Sequence, residues 1–286
     1  MICSYLDCSR QGYYKHLKTA DMRQQLEERV VTEVRKIRQS QPRAGGLKLK
    51  RMLSENSDLR LRIGRDHLFT LLRERHLLVR TRRKYKGCTD FRHKLPIYPN
   101  LLEHISITGI NQVWVSDITY LRTYGGFVYL YLITDYYSRK ILGYHVSHDL
   151  KAESAVTALR KAFRKVPSPV GLIHHSDHGI QYCSEAYQSL LQEYQVSPSM
   201  TGKSRCYDNA VAGRVNGILK DEFGLGRTMS DIKTAVEAVR DAVSIYNRER
   251  LHRSLNYRTP EHVYRTWKPA EATQQQSVLQ GVASAQ

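Results

Sequence analysis

The chain has 286 residues, 41% of them hydrophobic, and a net charge of +18, which suits a soluble protein of one large or two modest domains. It contains neither a membrane-spanning apolar run nor the layout of a signal peptide, so we expect a cytoplasmic protein. Five scattered cysteines without a Cys-x-x-Cys pair argue against a disulfide framework or a structural zinc site and favour a reducing compartment.

The positive charge is concentrated at the N-terminal end. Residues 1–100 hold 24 Lys and Arg against 10 Asp and Glu, a net of +14. This concentration favours nucleic acid as the partner over a membrane or an acidic protein. A basic surface that serves only solubility is the alternative.

Three short helices are predicted in this basic region. The first carries an apolar stripe through residues 22–37 and ends before Pro42. The stripe consists of Met22, Leu26, Val30, Val34 and Ile37. The second is predicted at residues 47–53, and the third at 65–76 with Leu68, Leu71 and Leu72 inward. The pattern favours a helix-turn-helix-like DNA-binding region over residues 1–86, with a helical bundle of another purpose as the alternative.

A basic run with one tyrosine closes this region at residues 79–86 and suits contacts to phosphates. The candidate DNA-binding residues in it are Arg80, Arg82, Arg83 and Lys84. A solvated linker is the alternative. Residues 87–108, with Pro96 and Pro99, are predicted to be an extended connection between domains.

From residue 109 the pattern changes to strands. Strands are predicted at residues 111–120, 127–134 and 140–146, and the short turns between them indicate an antiparallel meander. A helix follows with Ala155, Leu159, Ala162 and Phe163 inward. Then come a buried strand at 170–174, a helix at 185–194 capped by Ser184, a strand at 196–200 and a helix at 208–222. The order indicates an α/β domain over residues 109–225.

A helical extension is predicted at residues 226–268, with Ser230 as the cap of its main helix. Its apolar stripe, expected to serve packing, consists of Ile232, Ala235, Val236, Val239, Ala242, Val243 and Tyr246. Arg248, His252 and Arg253 could contact DNA or clamp the helix to the core, and both hypotheses stay open. The Gln, Ala and Ser-rich residues 269–286 are predicted to be disordered.

Three positions carry the candidate chemistry: Asp117 in a predicted strand, Asp177 at the end of another, and position 213 in a predicted helix. Two strand-borne aspartates and a helix-borne carboxylate would hold a pair of Mg²⁺ ions for displacement at phosphate. Position 213 is glycine, so the third carboxylate is absent. Glu222 lies nine residues further, about 180° around a helix, and does not replace it. Asp208 is predicted to cap the helix.

Other polar residues near these positions have simpler expected roles. Asp135 lies in a hairpin turn, where a bond to the turn backbone is expected. Near Asp177, local hydrogen bonding or DNA contact is expected for His174, His175 and His178 rather than zinc binding. Candidate phosphate contacts flanking the acids are Lys203, Arg205, Arg214 and Lys220, with ordinary solvated charges as the alternative.

The motifs together resemble one protein family. They are WVSDITY at 114–120, DYYSR at 135–139, HSDHGIQY at 175–182, SRCYDNA at 204–210 and YN-x-x-R-x-H-x-SL-x-Y-x-TP at 246–260, with 35 residues between Asp177 and Gly213. In these motifs the chain is similar to bacterial insertion-sequence transposases related to retroviral integrases, whose catalytic protein is read from the second of two overlapping frames. The similarity extends over residues 10–266, and Gly213 stands where that family has its glutamate.

The resemblance implies a ribonuclease-H-like mixed-sheet core with a basic helical N-terminal domain and a helical C-terminal extension. It implies two Mg²⁺ ions, or Mn²⁺, with Asp117 bridging both and Asp177 holding one. It further implies nicking of element ends and joining of 3′-hydroxyls to double-stranded DNA by a homo-oligomer in a synaptic complex, at the bacterial nucleoid. A separate upstream-frame DNA-binding partner stays an open alternative.

The functional hypotheses differ in how they account for Gly213. With the third acid missing, we expect an impaired transposase, either a deliberately disabled variant or a naturally degenerate copy. A DNA-binding, assembly-competent protein without catalysis is the first alternative. A nuclease of the same fold is the second, but it leaves the basic N-terminal region unexplained.

Overall fold

The computed structural model describes residues 9–55, 63–79, 95–202 and 209–269. Several predicted residues lie outside these ranges, namely Arg80, Arg82, Arg83, Lys84, Lys203, Arg205 and Asp208, together with residues 270–286 of the predicted tail. Within the described ranges, none of the helices is both long and apolar enough to cross a membrane.

Three helices with a core of their own form the N-terminal part: α1 (Arg10–Ser40), α2 (Gly46–Glu55) and α3 (Arg65–Glu74). Val30 and Val34 of the predicted stripe are buried, and so are all three leucines predicted to face inward from α3. Met22 is 62% exposed, so its placement in the stripe was wrong. The ten-residue helices α2 and α3 are too short to cover the N-terminal half of the 31-residue α1.

The second part is built on one five-stranded sheet. Its strands are β1 (Val113–Thr123), β2 (Gly126–Asp135), β3 (Ile141–Ser147), β4 (Ile173–Ser176) and β5 (Ser197–Met200). Their order across the sheet is β3-β2-β1-β4-β5, with β1, β2 and β3 antiparallel and β4 and β5 parallel to β1. The predicted meander and the mixed sheet of the ribonuclease-H-like class are thus confirmed, and β1 lies at the centre.

The fourth strand begins later than predicted. Val170 is 95% exposed, and Gly171 has a φ of +67°, which belongs to the left-handed region that favours glycine. The chain therefore turns at these residues and enters the sheet only at Ile173. The prediction took the whole apolar run as a strand, whereas its first residue, Val170, lies in the turn before the strand.

Helices cover both faces of the sheet because successive strand side chains point to opposite sides. On β2, Tyr131 and Ile133 join the core beneath α4 (Ala152–Phe163), α5 (Ile180–Cys183) and α6 (Glu185–Glu193). Leu130 and Leu132 join the opposite core, which contains α7 (Ala210–Glu222) and α8 (Ile232–Arg248). Each such fully buried side chain contributes about 1.5–3 kcal/mol. The double burial explains why β2 has a nearly continuous apolar sequence.

The C-terminal extension is fixed to the sheet at its edge strand. The side chain of Asn247 on α8 donates to the Ile141 carbonyl (3.0 Å) and accepts from the Ile141 amide (2.9 Å) on β3. The last helix, α9 (Pro260–Thr266), begins at the cap Thr259, whose hydroxyl accepts from the His262 amide at 3.2 Å.

Two details of α8 differ from the prediction. Its cap is Asp231, whose carboxylate accepts from the Thr234 amide at 2.8 Å, while the predicted cap Ser230 bonds the Thr234 hydroxyl at 2.6 Å. Val236 is 44% exposed and lies outside the buried stripe, because α8 packs on the sheet through a narrower face than the apolar pattern suggests.

Candidate active site

Two aspartates lie next to each other where the central strands of the sheet run in parallel. Asp117 is in the middle of β1, and Asp177 directly follows the last residue of β4. Val115 pairs with His175 across the two strands, and each aspartate lies two residues beyond its member of that pair. Because parallel neighbours in register point their side chains to the same face, both carboxylates belong to one site.

The electrostatics of the pair show how close the two carboxylates are. Burial, followed by the charge of Asp177, raises the pKa of Asp117 to about 7. Burial also raises the pKa of Asp177. Hydrogen bonds from the Ile118 amide to Asp117 (2.9 Å) and from the Gly179 amide to Asp177 (3.0 Å) offset these shifts in part. The site thus holds negative charge that a divalent cation would compensate.

Helix α7 is attached to β1 beside this pair by two asparagines. The Asn209 side chain donates to the Ser116 carbonyl at 2.8 Å, and the Asn216 side chain donates to the Asp117 carboxylate at 2.8 Å. Position 213 lies four residues after the first asparagine and three before the second, so it shares their helix face. Helix periodicity therefore assigns position 213 to the side of α7 on which Asn216 reaches Asp117.

Gly213 itself leaves room for a side chain. A Cβ atom added there has no described heavy atom within 4 Å, and the residue is exposed. Steric crowding of the described residues therefore does not account for the glycine. Replacing an alanine by glycine within a helix costs about 1 kcal/mol, so the glycine also does not favour α7.

In the part of the chain that the structure describes, no other acid completes the site. No three His, Cys, Asp or Glu side chains there converge as a metal-binding group. Glu222 points away and bonds Lys48 at 2.8 Å and Arg250 at 2.7 and 2.9 Å. Glu222 is therefore engaged on another side of α7, as its spacing from position 213 predicted.

The three histidines near Asp177 make local hydrogen bonds, as predicted. His174 bonds the Tyr187 hydroxyl at 2.9 Å, His175 bonds the Ser199 hydroxyl at 2.9 Å, and His178 bonds the Thr201 carbonyl at 2.7 Å. Burial lowers the pKa of His174 to about 3, so its ring is neutral at physiological pH. These bonds connect β4 to its neighbours and hold the strand end that carries Asp177.

Asp135 has the structural role that was predicted for it. Its fully buried carboxylate accepts from the Ser138 amide (2.8 Å) and hydroxyl (2.6 Å) in the turn. It also accepts from the Asn111 amide at 2.8 Å. The residue closes the hairpin between β2 and β3 and ties it to the start of β1.

The two described cations among the candidate phosphate contacts lie on different flanks of α7. Lys220 is on the face of position 213, close enough to Asp117 for the carboxylate to oppose the lowering of the lysine pKa by burial. Its Nζ lies 4.1 Å from the centre of the Tyr120 ring. Arg214 is exposed and lines a separate cavity.

Sequence reasoning missed Asn216 as a residue of the site. The signal was available, because Asn216 follows position 213 by three residues and so occupies the same helix face. Asn209 lies four residues before position 213, and Lys220 lies four residues after Asn216, so both extend the same helix face. The polar stripe on this helix, which already included the candidate Lys220, would have identified both asparagines.

The chain is similar to known insertion-sequence proteins. Two models, each described as an integrase core domain, match residues 108–206 and 194–260. An uncharacterized 31 kDa protein of insertion element IS600 from Shigella sonnei is 35% identical over 263 residues, which cover 91% of this chain and 96% of that protein. Transposase InsF for insertion sequence IS3A from Escherichia coli K12 is 40% identical over 140 residues, 49% of each chain.

Among solved structures, the chain is similar to the catalytic core domain of HTLV-2 integrase in complex with magnesium. The sequence identity is 15% and the TM-score 0.44, over 55% of this chain and 97% of that one. A simian T-cell lymphotropic virus intasome in complex with a PP2A regulatory subunit matches with a TM-score of 0.49 at 15% identity, over 79% of this chain and 73% of that one.

Proposed function

Because the chain belongs to the insertion-sequence transposases that carry an integrase core domain, we propose that it is a DNA-processing subunit. In the intact form it nicks the ends of its element and joins the freed 3′-hydroxyls to double-stranded DNA, acting as a homo-oligomer. In this chain Gly213 leaves that reaction strongly impaired. One observation carries the proposal: position 213 lies on the helix face that Asn216 holds against Asp117, beside Asp177 and with open space around it.

The remaining donors suit a hard divalent cation. Asp117 and Asp177 offer carboxylate oxygens, the ligands that Mg²⁺ prefers, and Mn²⁺ accepts the same set. When bound, such ions polarise a phosphodiester and lower the pKa of a water molecule. Asn216 orients Asp117 through its hydrogen bond, and Lys220 supplies positive charge near the position of a substrate phosphate. With only two carboxylates, we expect weak metal binding.

The domain roles follow from charge and fold. We assign DNA binding to the basic residues 1–86 and a linking role to residues 87–108. The core then spans residues 109–225 and the helical extension residues 226–268. The basic run that includes Arg80 and Lys84 remains a proposed phosphate contact, as do Lys203 and Arg205 before α7. A nucleoid location in the bacterial cytoplasm follows from the same assignment, and a separate upstream-frame partner for end recognition remains an open alternative.

The test compares the chain with Gly213→Glu, using labelled duplexes that carry the element's terminal repeats, in Mg²⁺ and in Mn²⁺. Gly213→Gln is the matched control, since it fills the same space without a charge. We expect nicking and strand joining only from the glutamate variant, while all three proteins bind the duplex equally. Equal inactivity of the glutamate variant and the control, with DNA binding intact, would overturn the catalytic roles of Asp117 and Asp177.

The second candidate function is a DNA-binding protein that assembles without catalysis. Gly213 favours it for the chain as it stands, whereas the retained pair of aspartates favours the transposase. The glutamate variant separates the two, because a repurposed binder would not regain activity from one side chain. Progressive digestion of the duplex, without joined products, would instead indicate a nuclease of the same fold.

A further inference from the structure

A second polar site lies on the other flank of α7, away from the carboxylate pair. A cavity of about 680 Å³ opens there between α2, α7, the end of α8 and the segment that follows it. Its wall on α7 includes Arg214 and Ile218. Each of them is two residues from Asn216, so the helical period assigns both to a different side of the helix. The cavity is therefore separate from the site of Asp117 and Asp177.

Positive charge dominates the wall of this cavity. The cationic side chains are Lys48, Arg139, Arg214, Arg250 and Arg253, with Glu222 as the one carboxylate among the described residues that line it. Glu222 is engaged by Arg250, which is 3% exposed, and by Lys48. Burial lowers the pKa of Lys48, and the nearby charge of Arg250 lowers it further. Three arginines therefore face the cavity without a carboxylate of their own among the lining residues.

Three buried polar atoms of the residues that line the cavity have no hydrogen-bond partner among the described residues. They are the hydroxyl of Tyr246, Nε2 of His252 and Nη1 of Arg139. Tyr246 is fully buried, and His252 is 5% exposed. Buried polar atoms almost always have a partner, so such a group of atoms at one cavity calls for one. Burial and four nearby cations lower the pKa of His252 to about 2, so its ring is neutral and Nε2 can carry a proton to donate.

We propose that this cavity binds a phosphate group, held by the Arg139 and Arg214 guanidinium groups and by the Tyr246 hydroxyl and His252 Nε2. Guanidinium groups match the oxygens of phosphate with two parallel hydrogen bonds, and the neutral donors can occupy further oxygens. The crowded cations then gain a counter-ion, and the three polar atoms gain an acceptor.

The phosphate can come from a DNA phosphodiester or from free phosphate. Arg214 follows position 213 directly, so a strand crossing the N-terminal end of α7 could contact both flanks of the helix. This DNA source rests on the proposed function, whereas binding of free phosphate does not. The charge and the donors are the same in both cases, and experiment distinguishes the two sources.

The first experiment titrates the full chain with inorganic phosphate, followed by calorimetry and ³¹P NMR. Arg214→Gln should weaken binding by about 10–100-fold and Tyr246→Phe by about 3–10-fold, since a charged donor contributes more than a neutral one. The matched control is Arg240→Gln, an exposed arginine of α8 that contacts Asp241 and lies off the cavity. It should leave phosphate affinity unchanged.

The second experiment measures binding of a fluorescent duplex by the same four proteins as salt is varied. If the duplex displaces phosphate and Arg214→Gln lowers the salt slope by about 1, the source is DNA. The same source follows if phosphate alone does not bind but both cavity variants weaken duplex binding. If phosphate still binds to the DNA-saturated chain, the source is free phosphate. The proposal is overturned if the cavity variants match the control in both experiments.

Failure of the proposed function would give a different set of results from failure of the phosphate site. An inactive Gly213→Glu variant that still binds phosphate through Arg214 and Tyr246 would reject the transposase chemistry and leave the cavity site intact.

Discussion

The two flanks of α7, a helix of 13 residues, face surroundings of opposite charge. One flank faces two carboxylates of raised pKa and contributes Asn209, Asn216 and the empty position 213. The other lines a cavity in which arginines outnumber the single carboxylate. The acidic flank suits a cation and the basic flank suits an anion, so both flanks can serve a single phosphate-containing substrate. The helix separates the two flanks, and Gly213 lies on the first of them.

The largest expected effect concerns the acidic flank. In the Gly213→Glu background, Asp117→Asn should abolish nicking and joining, by on the order of 1000-fold or more. Loss of a direct metal ligand should lower the activity more than loss of a residue that only orients a ligand, which costs about 10–100-fold in metal affinity or activity. Gel analysis of labelled products measures the loss, and Asp241→Asn on the exposed side of α8 is the control. Comparable rates for the two variants would remove Asp117 from the mechanism.

The next effect concerns Glu222 of α7, whose carboxylate pairs with Arg250 and with Lys48 of the N-terminal helix α2. Glu222→Gln leaves the buried Arg250 and the half-buried Lys48 without their carboxylate, which should lower the free energy of unfolding by about 3–5 kcal/mol. Chemical denaturation measures this change, with the exposed Glu237→Gln as the control. A loss below about 1 kcal/mol, as for a surface pair, would show that solvent already screens the group.

A smaller effect is expected from pH in the metal-free protein. The folded pKa of Asp117, about 7, exceeds its ordinary value of 3.8, so the folded state binds the proton more tightly. Its contribution to stability is therefore greatest below pH 4 and is lost as pH rises through 7, by roughly 1–3 kcal/mol after solvent screening. Unfolding curves in EDTA at several pH values should show this slope, and Asp117→Asn should reduce it. An unchanged slope in that variant would assign the titration elsewhere.

The smallest expected effect concerns Tyr246, which lies on the basic flank. Tyr246→Phe removes a hydroxyl that has no partner among the described residues, so the free energy of unfolding should change by less than about 0.5 kcal/mol. Tyr187→Phe is the contrasting variant, because its hydroxyl bonds His174 at 2.9 Å, and it should lose about 1 kcal/mol or more. Equal losses from both substitutions would mean that Tyr246 has a bond within the protein.

Much of the architecture could be predicted from local patterns. The meander, the order of helices and strands, the inward residues of α3 and α4 and the cap Ser184 all depend on side chains a few residues apart. The wrong predictions of burial also came from local patterns. Met22 and Val236 fit the helical period but have no partner surface among the described residues, and Val170 continues an apolar run before the sheet begins. Periodicity indicates which face could be buried, whereas packing decides how far the burial extends.

The sequence by itself determined the family and the fold class, and it predicted the two aspartates and the missing acid, because motifs and spacing are properties of the chain. Only the tertiary structure decided which groups meet. Asn216 reaches Asp117 across 99 positions, and Lys48 reaches Glu222 across 174. The basic cavity likewise draws its wall from four separate segments. Hydrogen bonds and charges act over a few ångströms in space, and distance along the chain does not predict that proximity.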